Sequence, residues 1–413
     1  MMMKLLLGYS FYYPLTMSLL WIFGGIYYFL RLERKAPRPD QPPKLDHWPK
    51  ATLVVPCHNE GDIIRETLQH AADQDYPDFE IIAINDGSRD DTGRILDELT
   101  GVYPQLRVLH FTENQGKAMG LRMAALAANS DYLICIDGDA LLDRFATRWL
   151  MWHLATGARV GAVTGNPRIR NRSTLLGRLQ VGEFSSIIGL IKRAQRIYGR
   201  IFTVSGVIAG FRITALHQVG YWNTDMVTDD IDISWRLQMD FWDVRYEPNA
   251  LCWILMPETL VGLWKQRLRW AQGGVEVSRR YMKLLWVWPR RRMWFVLLEH
   301  FLSAVWSYGI LAVLVLAILG VFFRLPTSLT VPGPFPGWYG VILSVVCMVQ
   351  FLVSMIIERR YEKTVAREFF WIIWYPLAFW MIGMLTTVVA VPLTLSKKIG
   401  ARAVWESPDR GIQ

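Results

Sequence analysis

Two kinds of hydrophobic pattern divide this chain. Long and almost uninterrupted apolar runs cover residues 5–30, 294–323, 338–357 and 369–395. Each run is long enough to cross a hydrocarbon layer of roughly 30 Å. Between the first and second runs, the apolar residues come in short blocks separated by polar stretches. The pattern therefore predicts a soluble-type domain joined to membrane-spanning helices.

The short apolar blocks predict strands at residues 53–55, 80–85, 107–111 and 132–136. Helical stretches alternate with them, around residues 61–73, 91–99 and 117–128. Apolar strands that alternate with helices are typical of a parallel sheet covered on both faces. Such sheets bind ligands beyond the carboxyl ends of their strands. The predicted fold class is therefore α/β, with a mostly parallel sheet.

Domain boundaries follow from the same pattern. We expect an anchor, a cytoplasmic domain, amphipathic interfacial helices, membrane-spanning helices and a basic tail, over residues 1–35, 36–257, 258–293, 294–396 and 397–413. The first run ends without a small-residue cleavage site, which predicts an uncleaved anchor. Arg31, Arg34 and Lys35 follow it, and the positive-inside rule places them in the cytoplasm.

The orientation of the last apolar run stays open. Three spans after the domain would put Lys397 and Lys398 outside, against the positive-inside rule. The run contains Pro376 and Pro392, so it is either a span or a re-entrant segment. Alternatively, the run at 294–323 begins as an interfacial helix.

The net charge of +9 does not indicate a nucleic-acid-binding protein. The basic residues concentrate beside apolar runs, as in the stretch from Lys265 to Arg292. That distribution suits anionic lipid headgroups or a diphosphate ligand. The four cysteines show no metal-binding spacing and are expected to be buried free thiols.

Two acidic motifs follow predicted strands. Asp86, in Asn-Asp-Gly-Ser, either accepts hydrogen bonds from a nucleotide or belongs to a tight turn. Asp137 and Asp139 flank a glycine about fifty residues later. Mg²⁺ binds few protein carboxylates and takes its other ligands from phosphate and water, so this pair predicts a metal–diphosphate site, with a turn as the alternative. Lys117, at a predicted helix start, is either a phosphate ligand or a solvated residue.

Two further groups stand later in the chain. In Thr228-Asp229-Asp230, a carboxylate could act as a general base or cap the helix that follows. Gln266, Arg269 and Trp270 supply an amide, a guanidinium and an indole within about one helical turn, suited to sugar and diphosphate. An interfacial helix would also use Trp and Arg. Glu299 and His300, near the start of an apolar run, could line a polymer path or lie at the headgroup boundary.

These motifs, in this order, resemble the processive, membrane-embedded enzymes of glycosyltransferase family 2, such as cellulose, chitin and hyaluronan synthases. The resemblance is strongest to the bacterial enzymes that polymerise N-acetylglucosamine through β-1,6 linkages. It extends over nearly the whole chain and includes residues 163–170, 202–209, 264–274 and 407–412. These long segments are specific, whereas the short acidic motifs are shared by the wider family.

The resemblance implies a GT-A fold and a role for each motif. Asp230 would be the general base. Donor ligands would be Glu60, Asp86, Lys117, Asp137 and Arg269. Asp139 would hold Mg²⁺ or Mn²⁺, and the acceptor ligands would be Asp229, Gln266 and Trp270. The family usually has Thr-Glu-Asp where this chain has Thr228-Asp229-Asp230, which leaves the role of Asp229 less defined than that of Asp230.

The implied activity is inverting, processive transfer of N-acetylglucosamine from UDP-GlcNAc to a growing poly-GlcNAc chain, with export across the bacterial inner membrane. The resemblance also implies a small two-span membrane subunit and activation by cyclic di-GMP. Alternatives are a β-1,4-linking synthase, a non-processive transferase acting on polyprenyl phosphate, and a catalytically silent channel or scaffold. Product length and linkage separate the enzymes, and absence of transfer identifies the scaffold.

Overall fold

The computed structural model describes residues 2–331, 337–372, 375–397 and 400. Eight strands lie in this part of the chain: β1 Ala51–Cys57, β2 Phe79–Asp86, β3 Leu106–Phe111, β4 Tyr132–Ile136, β5 Leu141–Leu142, β6 Val160–Ile169, β7 Ile208–Arg212 and β8 Asp243–Ile254. The first α-helix is α1 Met2–Tyr28, and the helices that alternate with the strands are α2 Ile64–Ala72, α3 Thr92–Thr100, α4 Lys117–Ala127, α5 Ala146–Thr156, α6 Leu175–Phe184, α7 Lys192–Tyr198, α8 Ile213–Gln218 and α9 Asp229–Met239.

The remaining helices are α10 Leu260–Leu285, α11 Trp294–Phe322, α12 Trp338–Glu358, α13 Phe369–Ile372 and α14 Tyr375–Ser396. A π-helical segment at Phe29–Glu33 extends α1, and a second one at Ser185–Ile191 joins α6 to α7. A 3-10 turn at Trp288–Met293 connects α10 to α11. The predicted tail lies outside the described residues, apart from Lys397 and Gly400.

The strands form one sheet in the order β3-β2-β1-β4-β7-β6-β8-β5. The first four are parallel, as the alternating pattern predicts. β7 then pairs antiparallel with both β4 and β6, and β5 pairs antiparallel with β8. The prediction of an α/β fold with a mostly parallel sheet is confirmed, although its second half is mixed.

Burial on both faces explains the uninterrupted apolar strands. All seven residues of β1 are buried. Successive side chains of a strand point to opposite faces, so Leu53 and Val55 pack in one hydrophobic cluster and Val54 in the other. The four cysteines are free and buried, as predicted.

Four helical stretches of the described chain are long and apolar enough to cross a membrane: Met3–Glu33, Trp288–Phe322, Trp338–Glu358 and Ala378–Ser396. They correspond to the four predicted runs. Among its described residues, the last run contains α13 and α14, and Pro392 lies inside α14.

Aromatic side chains join helix α14 to α11. Trp380 and Val388 are more than two helical turns apart. Their partners on α11 are Trp306, with ring centroids 6.4 Å apart, and Tyr308, whose hydroxyl donates to the Val388 carbonyl over 3.1 Å. These contacts pack α14 against α11.

Both ends of α14 rest on elements that pack against the sheet domain. At its start, the Phe379 ring lies 6.2 Å from Phe351 of α12. At its end, Arg279 of α10 donates to the Thr394 carbonyl over 2.9 Å, and Lys397 pairs with Glu276 of α10 over 3.1 Å. Helix α14 therefore contacts α12 near its start and α10 at its end.

A buried ion-pair network joins the membrane helices to the sheet. Arg193 of α7 donates from Nε to Glu33 over 2.5 Å and also pairs with Glu358 of α12. Arg168 of β6 donates to Glu358 over 2.8 Å and to Glu362 over 2.7 Å. Arg193 and Glu358 are fully buried, so each of these charges depends on its partners for solvation.

The backbone makes room for this network at one glycine. A Cβ built on Gly189 would lie 2.4 Å from the Glu358 carboxylate and 3.0 Å from Nη1 of Arg193. Tyr361 adds a hydrogen bond to Glu33 over 2.7 Å. The network therefore connects the end of α1, the segment before α7, strand β6 and the end of α12.

Replacing Arg193 by Met should destabilise the protein by about 3–5 kcal/mol, because Glu33 and Glu358 would lose a shared buried cation. Urea unfolding in a neutral detergent measures this change. Arg170→Met is the matched control, since Arg170 pairs with Glu66 at the surface, where such pairs contribute about 0–1 kcal/mol. Equal destabilisation by the two variants would contradict the structural role of the network.

Candidate active site

Asp86 lies at the carboxyl end of β2 and is almost fully buried. Its two carboxylate oxygens accept hydrogen bonds from the backbone amides of Gln115, over 2.5 Å, and Gly116, over 2.8 Å. Gly87 has a φ of 61°, and a Cβ there would lie 2.5 Å from the Asn114 amide nitrogen. Asp86 thus holds the loop that leads into α4, so the predicted turn is present.

An open cavity of about 600 Å³ lies beside this turn. It is formed at the carboxyl ends of β1, β2 and β3, where parallel sheets bind ligands. Its walls carry polar side chains and backbone from three loops: His58, Asn59, Gly87, Ser88, Arg89, Thr112, Glu113 and Asn114. The cavity can accept a polar, flat group such as a nucleoside, with Asp86 buried behind its wall.

Asp137 and Asp139 follow β4, and the glycine between them lies close to the end of β1. A Cβ on Gly138 would lie 2.9 Å from the Pro56 carbonyl oxygen and 3.2 Å from Cγ of Glu60. The buried Glu60 therefore stands directly behind the turn. Asp137 and Asp139 remain partly exposed, so a ligand in the crevice can reach both.

Lys117, the first residue of α4, connects the two halves of the site. Its Nζ donates to Asp137 over 2.5 Å and to the Gly206 carbonyl over 3.0 Å. Burial disfavours the ammonium, but Asp137, Asp229 and Asp230 outweigh burial and raise the pKa of Lys117. The side chain is therefore a permanent cation at the centre of three carboxylates.

Asp230 approaches Lys117 from the other side of Gly206. A Cβ on Gly206 would lie 3.3 Å from Asp230 Oδ2 and 3.4 Å from Lys117 Nζ. Asp229 and Asp230 begin α9, and Asp230 Oδ1 accepts from the Ile231 amide over 2.9 Å. The motifs of α4, β4 and α9 thus converge on one site.

Helix α10 packs directly on the segment that carries Asp230. A Cβ on Gly273 would lie 1.8 Å from Thr228 Oγ1, so only glycine permits this approach. Further along α10, Glu276 accepts from the Val227 amide over 2.9 Å, and Tyr281 donates to Asp232 over 2.6 Å. The helix that carries Gln266 and Trp270 therefore also positions the start of α9.

The Gln-x-x-Arg-Trp segment of α10 contacts α6 through Arg267 and Trp270. The guanidinium of Arg267 lies 4.2 Å from the centroid of Trp270, pairs with Glu183 over 2.9 Å and donates to Gln266 over 2.8 Å. Arg269 is exposed, and its charge lowers the pKa of Asp230 against burial. Gln266 and Trp270 thus form one face with Arg267, while Arg269 acts on the acidic cluster.

Comparison with known proteins agrees with this arrangement. Residues 49–273 match the family model described as glycosyltransferase-like family 2, a range that contains the acidic cluster and Trp270. The chain belongs to glycosyltransferase family 2. The resemblance drawn from its motifs is confirmed, and the protein is a glycosyltransferase.

Its relatives in this family match along the whole chain. The poly-β-1,6-N-acetyl-D-glucosamine synthase of Staphylococcus epidermidis is 37% identical over 411 residues, which is 98% of each protein. The synthase of the same name from Staphylococcus aureus is 37% identical over 405 residues, again 98% of each.

A solved structure shows the same fold. A mannosyltransferase from Pyrobaculum calidifontis, in complex with GDP-Man and Mn²⁺, superposes with a TM-score of 0.61. The match covers 94% of this glycosyltransferase and 99% of the other chain at 19% sequence identity. The likeness confirms a GT-A fold with a nucleotide-sugar-type sheet.

The side chains at the β4 turn fit a divalent cation that shares its ligands with a diphosphate. No group of three or more His, Cys, Asp or Glu residues suited to a metal occurs among the described residues. Asp137 and Asp139 supply two carboxylates, fewer than an all-protein cage would need. Mg²⁺ and similar cations bind one or two carboxylates and complete their shell with phosphate oxygens and water.

Several residues at this site belong to no motif recognised in the sequence. Lys192 is buried near Asp230, and its Nζ donates to Thr164 Oγ1 over 3.1 Å. Burial lowers the pKa of Lys192 to about 7, against the opposing charge of Asp230. Arg267 and Gly206 lie within segments that carry the resemblance, yet only their contacts show what they do. The sequence feature that points to Lys192 is its position as a lysine in an apolar stretch, Gly189-Leu-Ile-Lys192.

Asp230 is suited to accept a proton near neutral pH. Burial and the adjacent charge of Asp229 raise the pKa of Asp230 to about 6, although Lys117 and Arg269 oppose this rise. Below that pH the carboxylate is protonated and cannot act as a base. If Asp230 is the base, kcat/KM should fall about tenfold per pH unit on the acid side of pH 6, because kcat/KM reports ionisation of the free enzyme.

Asp229→Asn should move this acid limb to lower pH by up to about one unit, since a neighbouring negative charge is removed. The measured quantity is the pH at which kcat/KM begins to fall, and not the size of kcat/KM, because Asp229 is also a candidate acceptor ligand. Asp240→Asn, at the exposed far end of α9, is the matched control and should leave the limb in place. An unmoved limb in Asp229→Asn would rule out Asp230 as the titrating group.

Proposed function

We propose that this protein is a processive, inverting glycosyltransferase that polymerises N-acetylglucosamine from UDP-GlcNAc into a β-1,6-linked chain. The observation that carries the proposal is the placement of Lys117 between Asp137 and Asp230. Its ammonium binds Asp137 at the candidate donor site, and its charge acts on Asp230, the candidate base. The names of the staphylococcal relatives support the sugar and the linkage.

The proposed reaction is a single in-line displacement. The acceptor hydroxyl oxygen forms a bond to C1 of the donor sugar, while the bond from C1 to the diphosphate oxygen breaks. The hydroxyl proton passes to Asp230, and UDP leaves with the electron pair. One displacement inverts the configuration at C1, so an α-linked donor gives a β-linked product.

The donor side of the site would stabilise the leaving diphosphate. We assign nucleoside binding to the cavity in front of Asp86, and the diphosphate to Lys117, with Glu60 supporting the β4 turn. Asp139, with Asp137, would hold Mg²⁺ or Mn²⁺, which as a Lewis acid neutralises charge on the departing diphosphate. Mn²⁺ in the mannosyltransferase complex supports a divalent ion.

The acceptor side would be formed by α10. Gln266 and Trp270 lie on one face of this helix, and an indole face can stack on a sugar ring. Arg269 would bind near the diphosphate, and Asp229 near the acceptor hydroxyl. His300 of α11 stacks on Phe202 with centroids 5.5 Å apart and packs against Gly274 of α10. These contacts support a product path from α10 toward the membrane helices.

The proposed setting is the bacterial inner membrane, with residues 36–257 as the cytoplasmic GT-A domain and 258–293 as the interfacial segment. The four apolar helices show that the protein is suited to a membrane. Because Thr394 and Lys397 at the end of α14 contact α10, we further propose that the last run is re-entrant and that the C-terminal basic tail is cytoplasmic. A small two-span subunit and activation by cyclic di-GMP belong to the proposal through the resemblance alone.

Inverted membrane vesicles test product, linkage and orientation together. Radiolabelled UDP-GlcNAc added outside reaches the cytoplasmic face. We expect a high-molecular-weight product that a β-1,6-specific glycosidase cuts only after detergent opens the vesicles, because the product is in the lumen. A tag after Gln413 should be removed by external protease. Adding cyclic di-GMP, with and without the small subunit, tests activation.

Other products would indicate a different enzyme activity. Cleavage by a chitinase would indicate β-1,4 linkage, and a single sugar on extracted lipid would indicate a non-processive transferase. Product outside sealed vesicles would refute coupled export, and a protected tag would refute the cytoplasmic tail. Vesicles from cells that lack this chain provide the background.

A further inference from the structure

A second cavity, of about 690 Å³, lies away from the glycosyltransferase site. It is formed by the end of α9, the start of β8 and the 3-10 turn before α11. Its charged lining consists of five arginines and one carboxylate: Arg159, Arg200, Arg290, Arg291, Arg292 and Asp243. A concave surface of this size is in the range of small-ligand sites, and its charge selects an anion.

The single carboxylate of this cavity is already engaged. Asp243 accepts from Arg196 over 2.9 Å and from Arg245 over 2.9 Å, and its contact with Arg200 is 3.9 Å. The Nε of Arg200 is buried and has no hydrogen-bond partner within the described part of the chain. A buried donor without a partner is costly, so an incoming anion would gain a strong, charge-assisted bond.

Neighbouring cations add to this unbalanced charge. Burial lowers the pKa of Arg200, as do Arg292, Arg196 and Arg159, while Asp243 acts in the opposite direction. A guanidinium does not lose its proton in proteins. The repulsion among these side chains therefore persists until an anion enters.

The surface next to the cavity is apolar. Trp286 is 79% exposed and Trp288 is 64% exposed, and the chain runs from there directly into α11. Tyr198 of α7 contacts Phe295 of α11 and donates to the Leu20 carbonyl of α1 over 3.1 Å. Exposed tryptophans beside arginines at the start of an apolar helix are typical of the lipid headgroup region.

The cavity is separate from the acidic cluster. Gln238 and Phe241 line it at the end of α9, whereas Asp229 and Asp230 begin that helix. Eight residues separate Asp230 from Gln238 along α9, which is about 12 Å at 1.5 Å per residue. A ligand here would not occupy the donor or acceptor position.

We propose that this arginine cavity binds the phosphate of an anionic phospholipid headgroup, with Arg200 and Arg292 as its principal ligands. A soluble phosphate has the same chemistry, but the exposed tryptophans at the rim favour an anion presented by the bilayer surface. The site goes beyond sugar transfer, because it would fix the catalytic domain against membranes that contain acidic lipid.

Titration with a short-chain lipid tests the proposal on the full chain. The purified protein in a neutral detergent is titrated with dihexanoyl phosphatidylglycerol, and the shift in unfolding temperature gives the affinity. Dihexanoyl phosphatidylcholine should give no saturable shift. Arg200→Gln with Arg292→Gln should weaken phosphatidylglycerol binding at least about tenfold, the effect expected from losing charge-assisted bonds. Arg200→Lys, which keeps the charge, should lose less.

The matched control is Arg359→Gln, which removes an exposed arginine that follows the apolar helix α12. It should change the affinity less than about twofold, because it lies outside the cavity. Equal losses in the control and in the cavity variants would overturn the site. Sodium phosphate or cyclic di-GMP that displaced the lipid completely would show a soluble-anion site and overturn the lipid assignment. Equal binding of phosphatidylcholine would also contradict the proposal.

Discussion

The buried pairing of Arg193 with Glu33 and Glu358 is the contact on which the relation between enzyme and membrane depends. Arg193 belongs to the sheet domain, and the two carboxylates end the first and third apolar helices. A buried charge that loses its partner is strongly destabilising. These ion pairs therefore favour one arrangement of α1, α7 and α12. Helices α10 and α11 pack onto that arrangement.

In the acidic cluster, the carboxylates of Asp137, Asp229 and Asp230 converge and repel one another. The positive charge of Lys117 offsets this repulsion. The loop that Asp86 fixes leads into α4 and holds Lys117 in place. Asp86 thus contributes to the site through backbone positioning, and Gly206 gives Lys117 and Asp230 room to approach. A donor diphosphate would compete with these carboxylates for Lys117, which would change the charge around Asp230 as the donor binds.

Local features of the sequence predicted much of this structure. The first four strands, the helices between them and the apolar runs follow from periodicity, because burial of each element acts over a few neighbouring residues. The pairing of Arg193 with Glu358 joins residues that are 165 positions apart and has no local signature. The same holds for the antiparallel β7, for Lys192 near Asp230, and for the packing of α14 against α11. Each depends on tertiary packing that one sequence does not display.

Asp230→Asn tests the central claim, that this carboxylate is the base beside the Lys117-held donor site. UDP-GlcNAc affinity by calorimetry and the initial polymerisation rate are measured on the same purified preparation. We expect donor binding within about threefold of the unmodified protein and a rate at least about 100-fold lower, since general-base catalysis contributes about 10²–10⁴-fold. Retained polymerisation with normal donor binding would contradict the account.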